Sequence, residues 1–447
     1  MSARMISDAI EDAIDESLVY GTALPPKRIH DRKTWEQHVY YKQLSMPPKF
    51  TPGEFDKLSA QEQHESRALR RKYTAQLGPI LSTSYSSLYD EMLRTANTNI
   101  EFTSLVKGHV IEGPPDLGKT TLLTTVGRRY ELRRRAIHRA QFGSDLYAGG
   151  ETPWRFTPVV YVSLDGTRTF KALLQAVAAF LLIPEAYGQS ELELKPQIAE
   201  YANNCGVSLM LIDDLHYLNK DFVGATPLNN ELKKWMGIIP ATFIYAGIDC
   251  ENVGLFREWS KKDHNSLSQT NHRFSKLELH PFPRLPKKRD DQLPEKPVPE
   301  VADVIKTFDE HCVLLKHNPG DLTKHLSYIM NRTSGYMGAI VTLIKHATAL
   351  AIMRGDECYS EDLFNKIRLD NASETAYKRR ILAGKSSPDK SKTTERRQDK
   401  ASVDGVASQT EKATSNPVNP QIPQQKIVGK NGKDGKAHTT KSSIPTG

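Results

Sequence analysis

One nine-residue stretch limits what this chain can fold into more than any other. It is Gly113-Pro114-Pro115-Asp116-Leu117-Gly118-Lys119-Thr120-Thr121, preceded by the apolar pair Val110-Ile111 and followed by Leu122-Leu123-Thr124-Thr125-Val126. The spacing is G-x-x-x-x-G-K-[ST], which takes its meaning from a strand in front and a helix behind, and both flanks are present. Glycines allow a loop to wrap a polyphosphate with its backbone N–H groups, and the helix that follows aims its positive end at the same anion. In such a loop Lys119 reaches the β and γ phosphates and Thr120 holds Mg²⁺, while the backbone from Gly113 to Thr121 forms the cradle.

A chain of 447 residues has room for two or three compact units, yet its hydrophobic fraction of 38% is low for one that folds throughout. Charge shows where the difference falls. Residues 371–447 hold 15 basic and 7 acidic side chains, a net of +8 that equals the formal charge of the whole protein. The rest is balanced at 46 of each sign. The basic character belongs to the tail, and the folded part can bind nucleic acid only through a local patch. Cys205, Cys250, Cys312 and Cys358 are widely separated and form no C-x-x-C pair, so neither a zinc knuckle nor a disulfide framework is expected, and a reducing, cytoplasmic setting is the simplest reading. The N-terminus carries acids where a signal peptide needs an apolar core, and no run is expected to reach the length of a membrane span.

The chain divides into five stretches. Residues 1–75 are a proline-interrupted extension that could hardly form its own core, and the expectation is that it packs on its neighbour or binds a partner. Residues 76–282 open with a helix over 82–98, on which Tyr85, Leu88, Met92 and Leu93 share a face. They continue with strands at 108–112, 159–165, 207–213, 242–247 and 276–279, alternating with helices at 119–138, 169–182, 195–203 and 228–236. Near-continuous apolar strands alternating with helices give an α/β fold, a parallel sheet covered on both faces, whose ligands sit beyond the carboxyl ends of the strands. Residues 283–301 are a Pro- and charge-rich linker, and 302–370 a small helical domain in which Leu326, Ile329 and Met330, then Ile340, Leu343, Ile344, Ala347 and Ala351, follow helical spacing. Residues 371–447 are expected to be disordered.

The second motif is Leu209-Met210-Leu211-Ile212-Asp213-Asp214, an apolar strand ending in two acids. Downstream of a phosphate loop, such a strand delivers one carboxylate to Mg²⁺ and sets an acidic neighbour beside the water that attacks the γ-phosphate. A strand inserted between the loop and the acidic strand resembles the AAA+ ATPases. Further stretches narrow this: Ile212 to Asn219, Ile239 to Asp249, Asn271-His272-Arg273-Phe274, and the turn Arg332-Thr333-Ser334-Gly335-Tyr336-Met337-Gly338 ahead of an apolar helix. Together they resemble the TniB branch of the TniB/TnsC transposition ATPases over roughly residues 58–369.

That resemblance implies an AAA+ P-loop NTPase core with a helical lid domain, and ATP and Mg²⁺ as cofactors. Lys119 and Thr120 would bind phosphate and metal, and Asp213 would support the metal. Asp214 stands where the family usually has a catalytic glutamate; aspartate is one methylene shorter, so slow hydrolysis is expected. Arg273 resembles the arginine finger inserted into a neighbouring subunit's site, which implies self-association as a ring or filament. Two departures loosen the coupling of hydrolysis to motion: Ile248-Asp249 at the end of the fourth strand, in place of a threonine or asparagine, and the turn 335–338, which lacks a sensing arginine. Arg168 and Lys171 would line a pore and track a DNA backbone by family analogy. The basic stretch from Arg128 to Arg139 reads instead as a solvated outer helix face. His216 is expected to orient the acidic loop rather than bind metal.

The function expected is therefore an ATPase that assembles on double-stranded DNA without base-specific contacts and delivers target DNA to a DDE-type transposase. Two alternatives stay open: a nucleotide-gated DNA-binding scaffold with negligible hydrolysis, and a helicase loader or replication initiator on the same fold.

Overall fold

The computed structural model describes residues 4–5, 26–101, 108–147, 154–166, 169–218, 228–248, 250, 274–283, 299–370, 373–375 and 377–378. Five strands carry the fold: β1 (Gly108–Glu112), β2 (Val159–Ser163), β3 (Leu209–Asp213), β4 (Thr242–Gly247) and β5 (Phe274–Glu278). They form one parallel sheet in the order β2-β3-β4-β1-β5. Every residue of β3 and β4 is buried, because both are central strands covered on two faces. The fifth strand starts two residues earlier than its apolar pattern indicates, since Gly108 of β1 pairs with Phe274.

The order matters for chemistry. β4 lies between β1, which leads into the phosphate loop, and β3, which carries the acids. Their registers, Glu112 with Gly247 and Ile212 with Tyr245, bring the ends of all three strands to the same edge of the sheet. The two motifs, nearly a hundred residues apart in sequence, thus face one crevice.

Helices flank the sheet. In chain order they are α1 (Arg32–Tyr40), α2 (Pro52–Asp56), α3 (Ala60–Gln76), α4 (Thr83–Glu101), α5 (Lys119–Phe142), α6 (Phe170–Phe180), α7 (Glu191–Asn204), α8 (Leu228–Ile238), α9 (Pro299–Glu310), α10 (Leu326–Thr333), α11 (Met337–Arg354) and α12 (Glu361–Asn365). Starts are set by local chemistry: Asp31 with Thr34, Thr51 with Glu54, Ser59 with Glu62 and Ser190 with Glu193 form reciprocal capping boxes. The early helices do not stand apart. Trp35 and Val39 of α1 are buried, Trp35 stacks on Tyr161 of β2 at 5.4 Å, and α3 lies along α11.

This packing corrects the reading of the basic stretch on α5. Arg128 is buried, donating from Nε to the Val39 carbonyl at 2.9 Å and from Nη2 to the Tyr41 carbonyl at 2.8 Å. Arg135 is buried too, bonded to Glu131, whose other carboxylate oxygen accepts from Trp35 Nε1. These two arginines are therefore neither a solvated face nor a nucleic-acid surface. A segment about 90 residues away covers them, and buried charges of this kind persist only when paired.

A second correction concerns α11. It is long and apolar enough to cross a membrane by length and composition. Here its apolar positions Ile340, Leu343, Ile344, Ala347 and Ala351 are buried within the protein, where the helix packs against α3, α10 and α12.

Candidate functional site

The loop between β1 and α5 is held from two sides. Gly118 adopts φ +79°, a left-handed conformation that a β-carbon disfavours, and its carbonyl accepts the first helical bond from the Leu122 N–H at 2.9 Å. Leu117 is fully buried, and its carbonyl accepts from the Tyr85 hydroxyl at 2.6 Å, so α4 clamps the loop from behind. Lys119, the first residue of α5, directs its ammonium to the carbonyls of Gly113 and Pro114 at 2.8 and 2.6 Å. Burial lowers its pKa, against the opposing pull of Asp213 and Asp214, so both acids lie within electrostatic reach of it. The structure thus gathers Lys119, Thr120, Asp213 and Asp214 around one point.

Asp213 ends β3 and is 2% exposed. Burial, reinforced by the neighbouring Asp214, raises its pKa, while hydrogen bonds from the Thr120 hydroxyl, the Asp214 N–H and the Tyr161 hydroxyl oppose the rise. Tyr161 lies at 3.2 Å and the Asp214 N–H at 2.9 Å. Asp214 takes a left-handed conformation, φ +58°, and accepts from Ser163 Oγ at 3.2 Å. Tyr161 and Ser163 were not singled out from sequence. Only the β2–β3 register, in which Ser163 pairs with Asp213, places them here.

Thr120 and Asp213 offer a hydroxyl and a carboxylate oxygen already in contact, a hard-oxygen donor set that fits Mg²⁺, which typically takes one or two protein ligands alongside phosphate and water. Among the described residues no cluster of three or more His, Cys, Asp or Glu side chains is placed to hold a metal. His216 sits beside Tyr217, its pKa lowered by burial, close enough to Asp214 and Lys119 to feel both. Past the end of β4, Asp249 lies outside the described residues. The buried Cys250 that follows is within electrostatic reach of Lys119.

The other side of the loop meets the helical region. Tyr336 precedes α11 but supplies no side-chain cap. Asp116 of the phosphate loop takes that place: its carboxylate accepts from the Ala339 N–H, and its carbonyl accepts from the Gly338 N–H at 2.9 Å. A helix N-terminus with unsatisfied N–H groups favours such an anion. Burial and the nearby Asp370 nonetheless raise the Asp116 pKa. The fit demands glycine, because a β-carbon on Gly338 would stand 2.0 Å from Asp116 Oδ1. At the turn 335–338, which holds no sensing arginine, the loop and the helix are joined directly.

A cavity of about 840 Å³ runs from these groups along α11. One part is lined by Gly118, Thr120, Ser163, Asp213 and Asp214, another by Leu77, Ile80, Leu81, Phe308, Met337 and Val341. Arg28, paired with Asp165 at 3.1 Å, lies on its rim.

Residues 108–249 match a family described as an AAA domain. That match spans β1 to β4 with both motifs, on the sheet order just described. The fold is that of an AAA+ P-loop NTPase. Among solved structures, the chain is similar to the ORC2 protein of Aeropyrum pernix in ADPNP-ADP complexes, at 14% identity and TM-score 0.41, covering 63% of this chain and 66% of that one. It is similar to Aeropyrum pernix ORC1 in complex with DNA, at 14% identity and TM-score 0.44, with coverage of 70% and 69%. It is also similar to the Thermotoga maritima RuvB Holliday junction branch migration motor, at 14% identity and TM-score 0.33, with coverage of 63% and 66%. The chain thus spans just under two thirds of the first of these. No curated protein matches it by sequence.

Of the remaining residues anticipated from sequence, Arg273 and Arg168 lie outside the described residues, as do residues 284–298 and nearly all of 371–447. Lys171 is half-buried in the first turn of α6, close enough to Glu193 to add to the lowering of that carboxylate's pKa, which comes first from its hydrogen bonds with Ser190.

Proposed function

We propose that the protein is a Mg²⁺-dependent, ATP-binding AAA+ ATPase that assembles on double-stranded DNA and regulates transposition by delivering target DNA to a DDE-type transposase. The observation that supports nucleotide chemistry best is the convergence of Gly118, Thr120, Asp213 and Asp214 at a cavity large enough for a nucleotide, with Lys119 within electrostatic reach of both acids. In this reading the loop from Gly113 to Thr121 cradles the phosphates, Thr120 and Asp213 hold Mg²⁺, and Lys119 neutralises the β and γ phosphates. Bound Mg²⁺ would offset charge on the phosphoryl group. Asp214, kept in place by Ser163, positions the attacking water, and Arg273 of an adjacent copy completes the site in a ring or filament. Lys171 and Arg168 contact the DNA backbone. The transposition role rests on the sequence resemblance over residues 58–369.

A second reading, a nucleotide-gated scaffold with negligible hydrolysis, is favoured by one observation: Asp214 is tied back by Ser163 on a left-handed backbone, and its side chain is a methylene shorter than glutamate. Phosphate release measured with and without double-stranded DNA separates the two. DNA-stimulated release that disappears in Lys119→Ala supports the ATPase. ATP-dependent assembly on DNA with no release supports the scaffold, and Asp214→Glu should then raise turnover.

A further inference from the structure

Besides Lys27 and Arg28 of the N-terminal segment, the cavity is lined by a cation on α11 that neither motif contains, Lys345. Lys345 stands on α11 seven residues after Gly338, about 10 Å further along the helix axis. Met337, Val341 and Lys345 follow at intervals of four, so one face of α11 lines the cavity from the phosphate loop outward. The Lys345 ammonium donates to the Ala75 carbonyl at the end of α3, at 3.1 Å. Among the described residues no carboxylate pairs with it, and burial alone lowers its pKa, to about 8. Leu77, Ile80, Leu81, Phe308 and Val341 give the cavity that Lys345 lines an apolar part.

Resting on the nucleotide reading above, we propose that Lys345 is a base-recognition residue, donating a hydrogen bond to a ring-nitrogen acceptor of a purine held in this apolar slot. An ammonium has three donors and no acceptor, and the Ala75 carbonyl occupies one. The distance along α11 carries it past the phosphates, and a flat, largely apolar base is the part of a nucleotide that suits the slot. One helix thereby touches both ends of the ligand site, through Gly338 on the phosphate loop and through Lys345 on the base.

The test is equilibrium binding of ATP, ADP and the 1-, 3- and 7-deaza analogues of ATP to the full chain and to its Lys345→Met and Lys345→Arg variants, with thermal unfolding as the check on folding. The expected result is that Lys345→Met weakens ATP and ADP by the same factor, about 10- to 100-fold for a lost charge-assisted bond. Wild type should lose affinity for one deaza analogue, Lys345→Met should not discriminate that analogue from ATP, and Lys345→Arg should recover part of the binding. Affinity unchanged in a folded Lys345→Met, or a loss larger for ATP than for ADP, overturns the assignment while leaving the nucleotide site intact. Wild-type protein that binds neither nucleotide overturns both.

Discussion

The two ends of the cavity are built in different ways. The phosphate end is assembled from residues near one another in sequence or paired in adjacent strands: the loop 113–121 folds on itself, and the β2–β3 register brings Tyr161 to Asp213 and Ser163 to Asp214. The lid end is assembled from far-separated residues. Asp116 caps a helix that begins at Met337, Ser82 bonds Glu300 at 2.6 Å, and Arg70 of α3 reaches Glu357 beyond α11. A motif encodes the first kind of contact because loop and strand geometry are local. Contacts of the second kind depend on how three helical segments dock, and no short pattern encodes that. The phosphate end should therefore tolerate little change in its motif residues while depending weakly on distant ones. The lid end should fail through docking pairs.

The largest effect expected from breaking that contrast lies at Arg70. Its guanidinium is 1% exposed and makes a two-pronged contact with Glu357, 6% exposed, at 2.8 and 3.1 Å, with a third bond to the Val313 carbonyl. Arg70→Met leaves the carboxylate buried with the Leu315 N–H and no cation, and should cost about 3–5 kcal/mol in urea unfolding. A cost under about 1 kcal/mol would mean that α3 and the lid are not held by this pair.

Gly338→Ala comes next. The new methyl would meet Asp116 Oδ1 at 2.0 Å and the Asp116 carbonyl oxygen at 3.0 Å, forcing the loop and α11 apart. The expected loss is about 1–3 kcal/mol, seen as a lower unfolding midpoint together with weaker nucleotide binding. If the midpoint falls while binding stays unchanged, the joint between loop and lid is structural only, and the two ends are less coupled than their contacts indicate.

The smallest effect has the opposite sign and probes the phosphate end. Because burial raises the Asp213 pKa, the folded protein binds this proton more tightly than the unfolded chain does. Stability therefore falls as pH rises from the ordinary carboxyl value, 3.8, through the raised value. Asp213→Asn should make the nucleotide-free protein more stable at neutral pH, by less than the Gly338 loss, with the gain fading in acid. Its Mg²⁺-dependent binding should weaken. Equal stability of the two proteins at pH 7 would show that the site carries no such strain.

Much of the fold was legible because its strands are apolar runs and its helices carry period-3.6 faces. β1, β3 and β4, and the buried positions of α10 and α11, follow directly from those patterns. The loop residues from Gly113 to Thr121 and the acids Asp213 and Asp214 were legible for the same reason, each being a dense local pattern. What escaped depended on long-range contact. Arg128 and Arg135 look solvated until α1 is laid over them, and α11 reads as one more amphipathic helix although its composition approaches that of a membrane span. Ser163 and Tyr161 gain meaning only once β2 is registered on β3. Gly338 was noted for the arginine absent near it, and what it provides is room for Asp116.

The claim on which the rest depends is that the phosphate-loop end of the cavity, lined by Gly118 and Thr120, binds a nucleoside triphosphate with Mg²⁺. Calorimetric titration of the full chain with ATP in the presence of Mg²⁺, set beside Lys119→Ala, tests it most directly. Saturable binding with one site per chain, weakened about 30- to 1000-fold by the substitution, is the predicted result for the loss of about 2–4 kcal/mol of charge-assisted contact. Absence of binding to the wild type, or equal binding by folded Lys119→Ala, would contradict it.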